Sequence, residues 1–186
     1  MINNKKDLDF YLEADRKRMM VSGLPVLKDW ILHNEKWYIY RYLVALRHVE
    51  FYINSNKRND IRFLYWWFRY KRLGFKMRYN IAPNTIGPGV MIYHVGDMIW
   101  VGSACKIGAN CTLRPGVVFG RKRVTPDPEP VIVGDNCEFG VGAKIIGSLT
   151  IGNNVSVGAN AVVTHDVPDN SIAIGIPAKV ITKHQT

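Results

Sequence analysis

From Val101 onward, large apolar residues recur every six positions, at Val101, Ile107, Leu113 and Phe119, then at Val133, Phe139, Ile145, Ile151, Val157 and Val163. Glycine follows seven of them, at Gly102, Gly108, Gly120, Gly134, Gly140, Gly152 and Gly158. Four residues beyond each large position stands a mostly smaller one: Cys105, Cys111, Val117, Cys137, Ala143, Leu149, Val155 and Ala161. A period of six is neither the alternation of a strand nor the 3.6 of a helix, and it marks a stacked repeat. A unit with one large and one small residue inward and a turn at each end predicts a triangular parallel β-helix, three units to a coil. Ladders between coils then satisfy the peptide groups.

Two places break the beat. Ile92 to Val101 spans nine residues, and Phe119 to Val133 spans fourteen instead of twelve. Insertions into a solenoid are pushed to its surface, where sites are built. The first holds His94 and Asp97. The second, Arg121 to Pro130, is rigid with proline and charged, and contains Glu129.

Before residue 81 the pattern is helical. Asp7–Met20, Glu35–Asn54 and Asp60–Leu73 have helix-compatible spacing, with Gly74 a cap for the last. On the third segment Arg62, Arg69 and Arg72 share a side with Tyr65 and Trp66, leaving Ile61, Leu64, Trp67 and Phe68 to face a core. The expected class is therefore mainly β, with a helical region over 1–80 and a β-helix with its C-terminal tail over 81–186.

Composition sharpens this division. Residues 1–80 carry 17 Lys/Arg against 8 Asp/Glu and 17 of the 21 aromatic residues, whereas 14 of the 16 glycines follow. A basic, aromatic helix face suits a phosphate-rich ligand or peripheral contact with a membrane. The alternative is aromatic core with a solvated charged rim. No helix-turn-helix spacing, zinc finger or RNA-binding signature accompanies the charge, so nucleic acid is not expected as a partner. The N-terminus lacks an apolar signal region, and the run Phe63–Phe68 stops at Arg69, which predicts a cytoplasmic protein. The three cysteines form no CxxC pair and share one slot of the repeat, so they read as small core residues in a reducing compartment.

The hexads, the loop after Phe119 and the tail from Ala161 through Thr164, His165, Pro168, Gly175, Pro177 and Lys179 to Ile181 resemble the hexapeptide-repeat acyltransferases. Ile81 to His94 is similar to the serine acetyltransferase branch. The whole chain, with Asp9–Arg16 and Tyr70–Lys76, most resembles serine-acetyltransferase-like O-acetyltransferases of bacterial polysaccharide biosynthesis. The resemblance implies a left-handed β-helix, a homotrimer with active sites between neighbouring subunits, acetyl-CoA as donor, and His94 as general base. An imidazole suits that role, because an acceptor hydroxyl is a poor nucleophile at neutral pH and must lose its proton as it attacks the thioester. No metal is expected, since the β-helix carries only His94 and His165.

The resemblance also locates departures. Serine acetyltransferases carry an aspartate where this chain has Asn80 and another where it has Tyr93, the latter placed against substrate. Asn80 can fix the imidazole tautomer without supplying charge, which leaves Asp97 or Glu129 to support an imidazolium. In the second loop Pro128-Glu129-Pro130 stands where the serine enzymes hold a carboxylate with basic residues. These departures predict a carbohydrate acceptor, on a nucleotide sugar or on a lipid-linked glycan at the inner face of the membrane. Serine O-acetyl transfer, as in cysteine biosynthesis, is the alternative, and a noncatalytic trimeric scaffold is a third reading. For the donor, Phe139–Ala143 and Val157–Ala161 are expected to line the pantetheine slot. Gly142, Ala159, Thr164 and His165 match family contact positions, and Lys179 is a candidate for the coenzyme's phosphates.

Overall fold

The computed structural model describes residues 1–20, 34–120 and 130–182. Among the described residues three helices, α1 (Lys5–Met19), α2 (Glu35–Asn54) and α3 (Ile61–Met77), precede fourteen short strands. Asn4 caps α1 through a box with Asp7, and Asp60 caps α3 through the Arg62 amide. Among the described residues, no helix is long and apolar enough to cross a membrane.

The strands stack as three parallel faces. The first face is built from β1 (Tyr79–Ile81), β3 (Ile99–Val101), β6 (Val118–Gly120), β9 (Lys144–Ile146) and β12 (Val162–Val163). The second holds β4 (Cys105–Ile107), β7 (Val131–Val133) and β10 (Leu149–Ile151), extended by bridges from Ile86 and Val167. The third holds β2 (Met91–Ile92), β5 (Thr112–Leu113), β8 (Glu138–Phe139), β11 (Ser156–Val157) and β13 (Ser171–Ile174), closed by the antiparallel β14 (Lys179–Thr182).

Every large and small hexad position from Val101 to Val163 is buried, and the ladder pairs like with like: Val101 with Phe119, Leu113 with Phe139, Ile107 with Val133. The three cysteines lie buried in this core as thiols. A hydrogen bond with Cys137, then burial, pushes the Cys111 thiol up, so it stays protonated and inert.

Glycine sets the coil spacing at one corner, where Gly87, Gly108, Gly134 and Gly152 stack. A Cβ on Gly108 would meet the Asp135 carboxylate and also lie 2.6 Å from the Gly134 carbonyl, which as backbone cannot swing aside. Gly108→Ala is therefore expected to force the coils apart and cost about 1–3 kcal/mol, read as a lower urea midpoint at unchanged slope.

The helices seat on the first coil and share one continuous core with it. A buried ion cluster joins them. Arg47 on α2 is wholly buried and donates to Asp15 of α1 (2.9 Å), to Glu50 (3.0 Å) and to the carbonyls of Ile86 and Gly87 (both 2.8 Å). The carboxylates are satisfied in turn: Asp15 accepts the amides of Gly89 (2.8 Å) and Val90 (3.1 Å), and Glu50 accepts that of Asn84 (2.7 Å). One arginine thus fixes both helices to a turn of the solenoid.

Two expectations for α3 are corrected. Gly74 does not cap the helix but lies inside it, where a Cβ would stand 2.7 Å from the Tyr79 carbonyl and 3.2 Å from the Tyr42 ring; Arg78, in the left-handed region, takes the cap. The face buried against the fold carries Tyr70, Gly74 and Met77, while Ile61, Leu64 and Phe68 point outward. The closest approach of helix to coil is set by the one residue without a side chain, and that glycine lies on the opposite side from the aliphatic stripe.

Candidate active site

His94 directly follows β2 and Tyr93, where the first coil departs from the six-residue beat. Its backbone is left-handed at φ 53°, which turns the chain out of the coil and leaves the side chain 70% exposed. Two contacts hold it. The Tyr79 hydroxyl donates to the His94 carbonyl at 2.6 Å, and burial pushes that phenol up, so it remains a donor. The Glu35 carboxylate on α2 lies 3.1 Å from Nδ1 with one oxygen and accepts the Val95 amide at 2.5 Å with the other.

This geometry sets the tautomer. A carboxylate can only accept, so Nδ1 carries the proton and Nε2 faces out with its lone pair available. Glu35 is the first residue of α2, behind the Asn34 cap, where the helix dipole favours negative charge. Glu35 was legible only as a helix start; 59 residues separate it from His94, and only packing brings them together.

The other expected residues fall around this pair. Asn80 projects from the outer side of β1 into a cleft of about 740 Å³ shared with Met98, Trp100, Lys76 and Arg78, and makes no hydrogen bond with His94. Asp97 lies near Gly116, whose Cβ would approach its carboxylate to 3.7 Å; it makes no hydrogen bond with His94 either. Among the described residues Glu35, rather than Asp97, is therefore the carboxylate on the imidazole. Tyr93 is half-exposed, its ring 6.1 Å from that of His94 and covered at 5.6 Å by the Arg114 guanidinium. Glu129 lies outside the described residues.

Arg114 leads from Tyr93 into a second cleft of about 460 Å³ on the third face, lined by Gly140, Val141, Val157, Gly158 and Ala159. Of the residues expected to hold a donor, Ala159 lines this cleft. Gly142 sits at the next corner at φ 71°, against Asn160 of the following coil. Thr164 and His165 pair with each other at 3.0 Å, and Lys179 is exposed on β14. Among the described residues, no group of three histidine, cysteine or acidic side chains could hold a metal ion.

Residues 130–165 match the family model of the bacterial transferase hexapeptide (six repeats). With the coils described above, this describes the chain as a left-handed parallel β-helix that carries hexapeptide repeats. Its relatives are serine acetyltransferases. That of Bacillus subtilis (strain 168) is 37% identical over 106 residues, covering 56% of this chain and 48% of the relative. The soybean serine acetyltransferase apoenzyme superposes with a TM-score of 0.74 at 26% identity, covering 94% of this chain and 69% of that one. A serine acetyltransferase complex with CoA has a TM-score of 0.67 at 22% identity, covering 94% and 68%. The chain spans about half the length of the Bacillus relative.

The expected carbohydrate acceptor is thereby corrected, since the relatives act on serine by name. The physical reason lies at Glu35. The departures at Asn80, Tyr93 and Glu129 argued for a different acceptor; Glu129 lies outside the described residues, and the first two concern the carboxylate beside the histidine. The carboxylate is present and comes from α2 instead of the coil.

Proposed function

We propose that this protein is an acetyl-CoA-dependent serine O-acetyltransferase. The carrying observation is the exposed His94, with Nδ1 held by Glu35 and Nε2 free, at the mouth of a break in the first coil. Nε2 takes the proton of the serine hydroxyl as the oxygen attacks the acetyl carbonyl. The carbon–sulfur bond then breaks, and the coenzyme thiolate leaves with the proton from the imidazolium. Glu35 opposes the charge that develops on the ring, and no covalent enzyme intermediate is required.

The cleft lined by Gly140, Val157, Gly158 and Ala159 suits the pantetheine arm, because a floor of small residues lets a chain lie close to the backbone. In this reading Gly142, Thr164 and His165 flank the arm, and Lys179 meets the phosphates. Asn80 and Tyr93 face the acceptor. Three copies packed along their solenoids complete the clefts, consistent with the exposed Trp100, Ile132 and Val141 on the outer faces. The three buried cysteine thiols suit the cytoplasm.

The deciding measurement is thiol release from acetyl-CoA with L-serine, with nucleotide sugars and with no acceptor. Serine-dependent turnover is expected; turnover with sugars alone would overturn the reading. Glu35→Ala removes both the partner of Nδ1 and the anchor of the Val95 amide. It is expected to lower kcat on the order of 10- to 100-fold with the KM for acetyl-CoA and the Tm nearly unchanged, measured by steady-state kinetics and thermal melts.

A further inference from the structure

Apart from Lys71, Phe75 and Lys76 at its C-terminal end, which border the cleft of Asn80, the outward face of α3 is not used by the transferase reading. At 100° per residue, Leu64, Phe75, Phe68 and Ile61 fall within an arc of about 60°. They are exposed by 57%, 90%, 62% and 76%. Tyr70, Gly74 and Met77, which seat the helix, lie on the opposite side. A contiguous stripe of large apolar residues in water is costly and marks an interaction surface.

Charge flanks the stripe on both sides. Arg72, Lys76, Arg69 and Arg62 follow in order along one edge, with Tyr65 among them, while Lys71 and Trp67 stand on the other. The helix contains five cations and no acidic residue. Arg62 is paired with Asp60 at its cap (2.6 Å). Among the described residues Arg69, Lys71, Arg72 and Lys76 meet no carboxylate. Arg69 lies over the rings of Tyr65 and Trp66, and Lys71 over Trp67 and Tyr70, contacts that leave their positive charge uncompensated.

We propose that α3 is a docking face for an anionic phospholipid surface, lying flat with Leu64, Phe68, Phe75 and Ile61 in the acyl boundary and its cations at the headgroup phosphates. Apolar residues and aromatic rings between rows of lysine and arginine are the composition of an interfacial helix. Its uncompensated charge complements an anionic leaflet. A protein partner would have to supply both an apolar groove and acidic rims. A second copy of this chain would oppose like charge to like charge, which disfavours the obvious competitor. The inference does not rest on the acetyl transfer reading.

The test is co-sedimentation of the full chain with vesicles of phosphatidylcholine alone and with mixed phosphatidylcholine–phosphatidylglycerol vesicles. The chain is expected to sediment with the mixed vesicles and to be released by added salt. The exposed pair Leu64→Ser/Phe68→Ser, away from the cleft that holds Asn80, is expected to lower partition by about tenfold or more, and Arg72→Gln to weaken it and flatten its salt dependence. Thiol release with a soluble acceptor and the Tm should stay at the unsubstituted values. Equal sedimentation with both vesicle types would overturn the proposal. So would absence of vesicle binding together with a fall in the light-scattering mass of the Leu64→Ser/Phe68→Ser variant, which would assign the stripe to a second copy.

Discussion

His94→Ala is expected to lower kcat for acetyl transfer to serine by roughly 10²- to 10⁴-fold, with the KM for acetyl-CoA and the Tm close to those of the unsubstituted protein. The asymmetry follows from where the ring stands. Its side chain is mostly exposed and contributes little to the core, so truncation removes a proton acceptor without opening a cavity. The backbone of position 94 stays anchored by the Tyr79 hydroxyl, which bonds the carbonyl and not the imidazole. His94→Asn is a stricter control, because asparagine tolerates the left-handed conformation found here but cannot accept the proton. Retention of serine-dependent thiol release by both variants would remove the imidazole from the mechanism.

Arg47→Met is expected to give the largest loss of stability, about 3–5 kcal/mol, because removing one partner of a buried ion cluster leaves the other charges without compensation. Here it leaves Asp15 and Glu50 buried, and it orphans the Ile86 and Gly87 carbonyls. Arg47→Lys should recover only part of the loss, since an ammonium cannot span two carboxylates and two carbonyls with the geometry of a guanidinium fork. Replacing Arg47, Asp15 and Glu50 together with apolar residues should not restore the stability, because it also orphans the amides of Gly89, Val90 and Asn84. Chemical denaturation of the three variants decides it, and equal stability of Arg47→Met and the unsubstituted protein would dismiss the cluster as a fastener. Because α2 carries both Arg47 and Glu35, Arg47→Met should also lower kcat in the fraction that stays folded, as the carboxylate drifts from the imidazole.

The two ends of the chain differ in how much their residues disclose. In the solenoid, each residue's neighbours lie one coil away at a nearly fixed offset, so a six-residue beat states both what is inward and what stacks on it. Val101 and Phe119 follow one another on the first face with a register already implicit in their spacing. Phe119, however, stacks on Ile145 rather than Phe139, because one step of the repeat and not two separates Phe119 from Val133. In the helices the same kind of periodicity misled. Ile61, Leu64 and Phe68 form the apolar stripe that a core-facing side ordinarily has, but α3 is seated by Tyr70, Gly74 and Met77. Periodicity reports that a helix has an apolar face; it does not report whether that face meets the rest of the chain.

The site divides along the same line. The histidine was legible because it interrupts a regular pattern, and an interruption in a solenoid must be displayed at the surface. Its carboxylate was not, and looking near His94 in sequence led to Asp97, which the fold turns toward Gly116. The matching family positions pointed to Asn80, Tyr93 and Glu129, and these departures together argued wrongly for a sugar acceptor. The sequence by itself determined the coils, their inward residues, the two breaks and the displayed histidine, because all of these depend on contacts repeated at short, constant separation. Only the tertiary structure decided that Glu35 orients His94, that Arg47 binds two helices to one coil, and which way α3 faces. Each of those depends on one long-range docking, held by buried charge and a single close glycine, that no local pattern records.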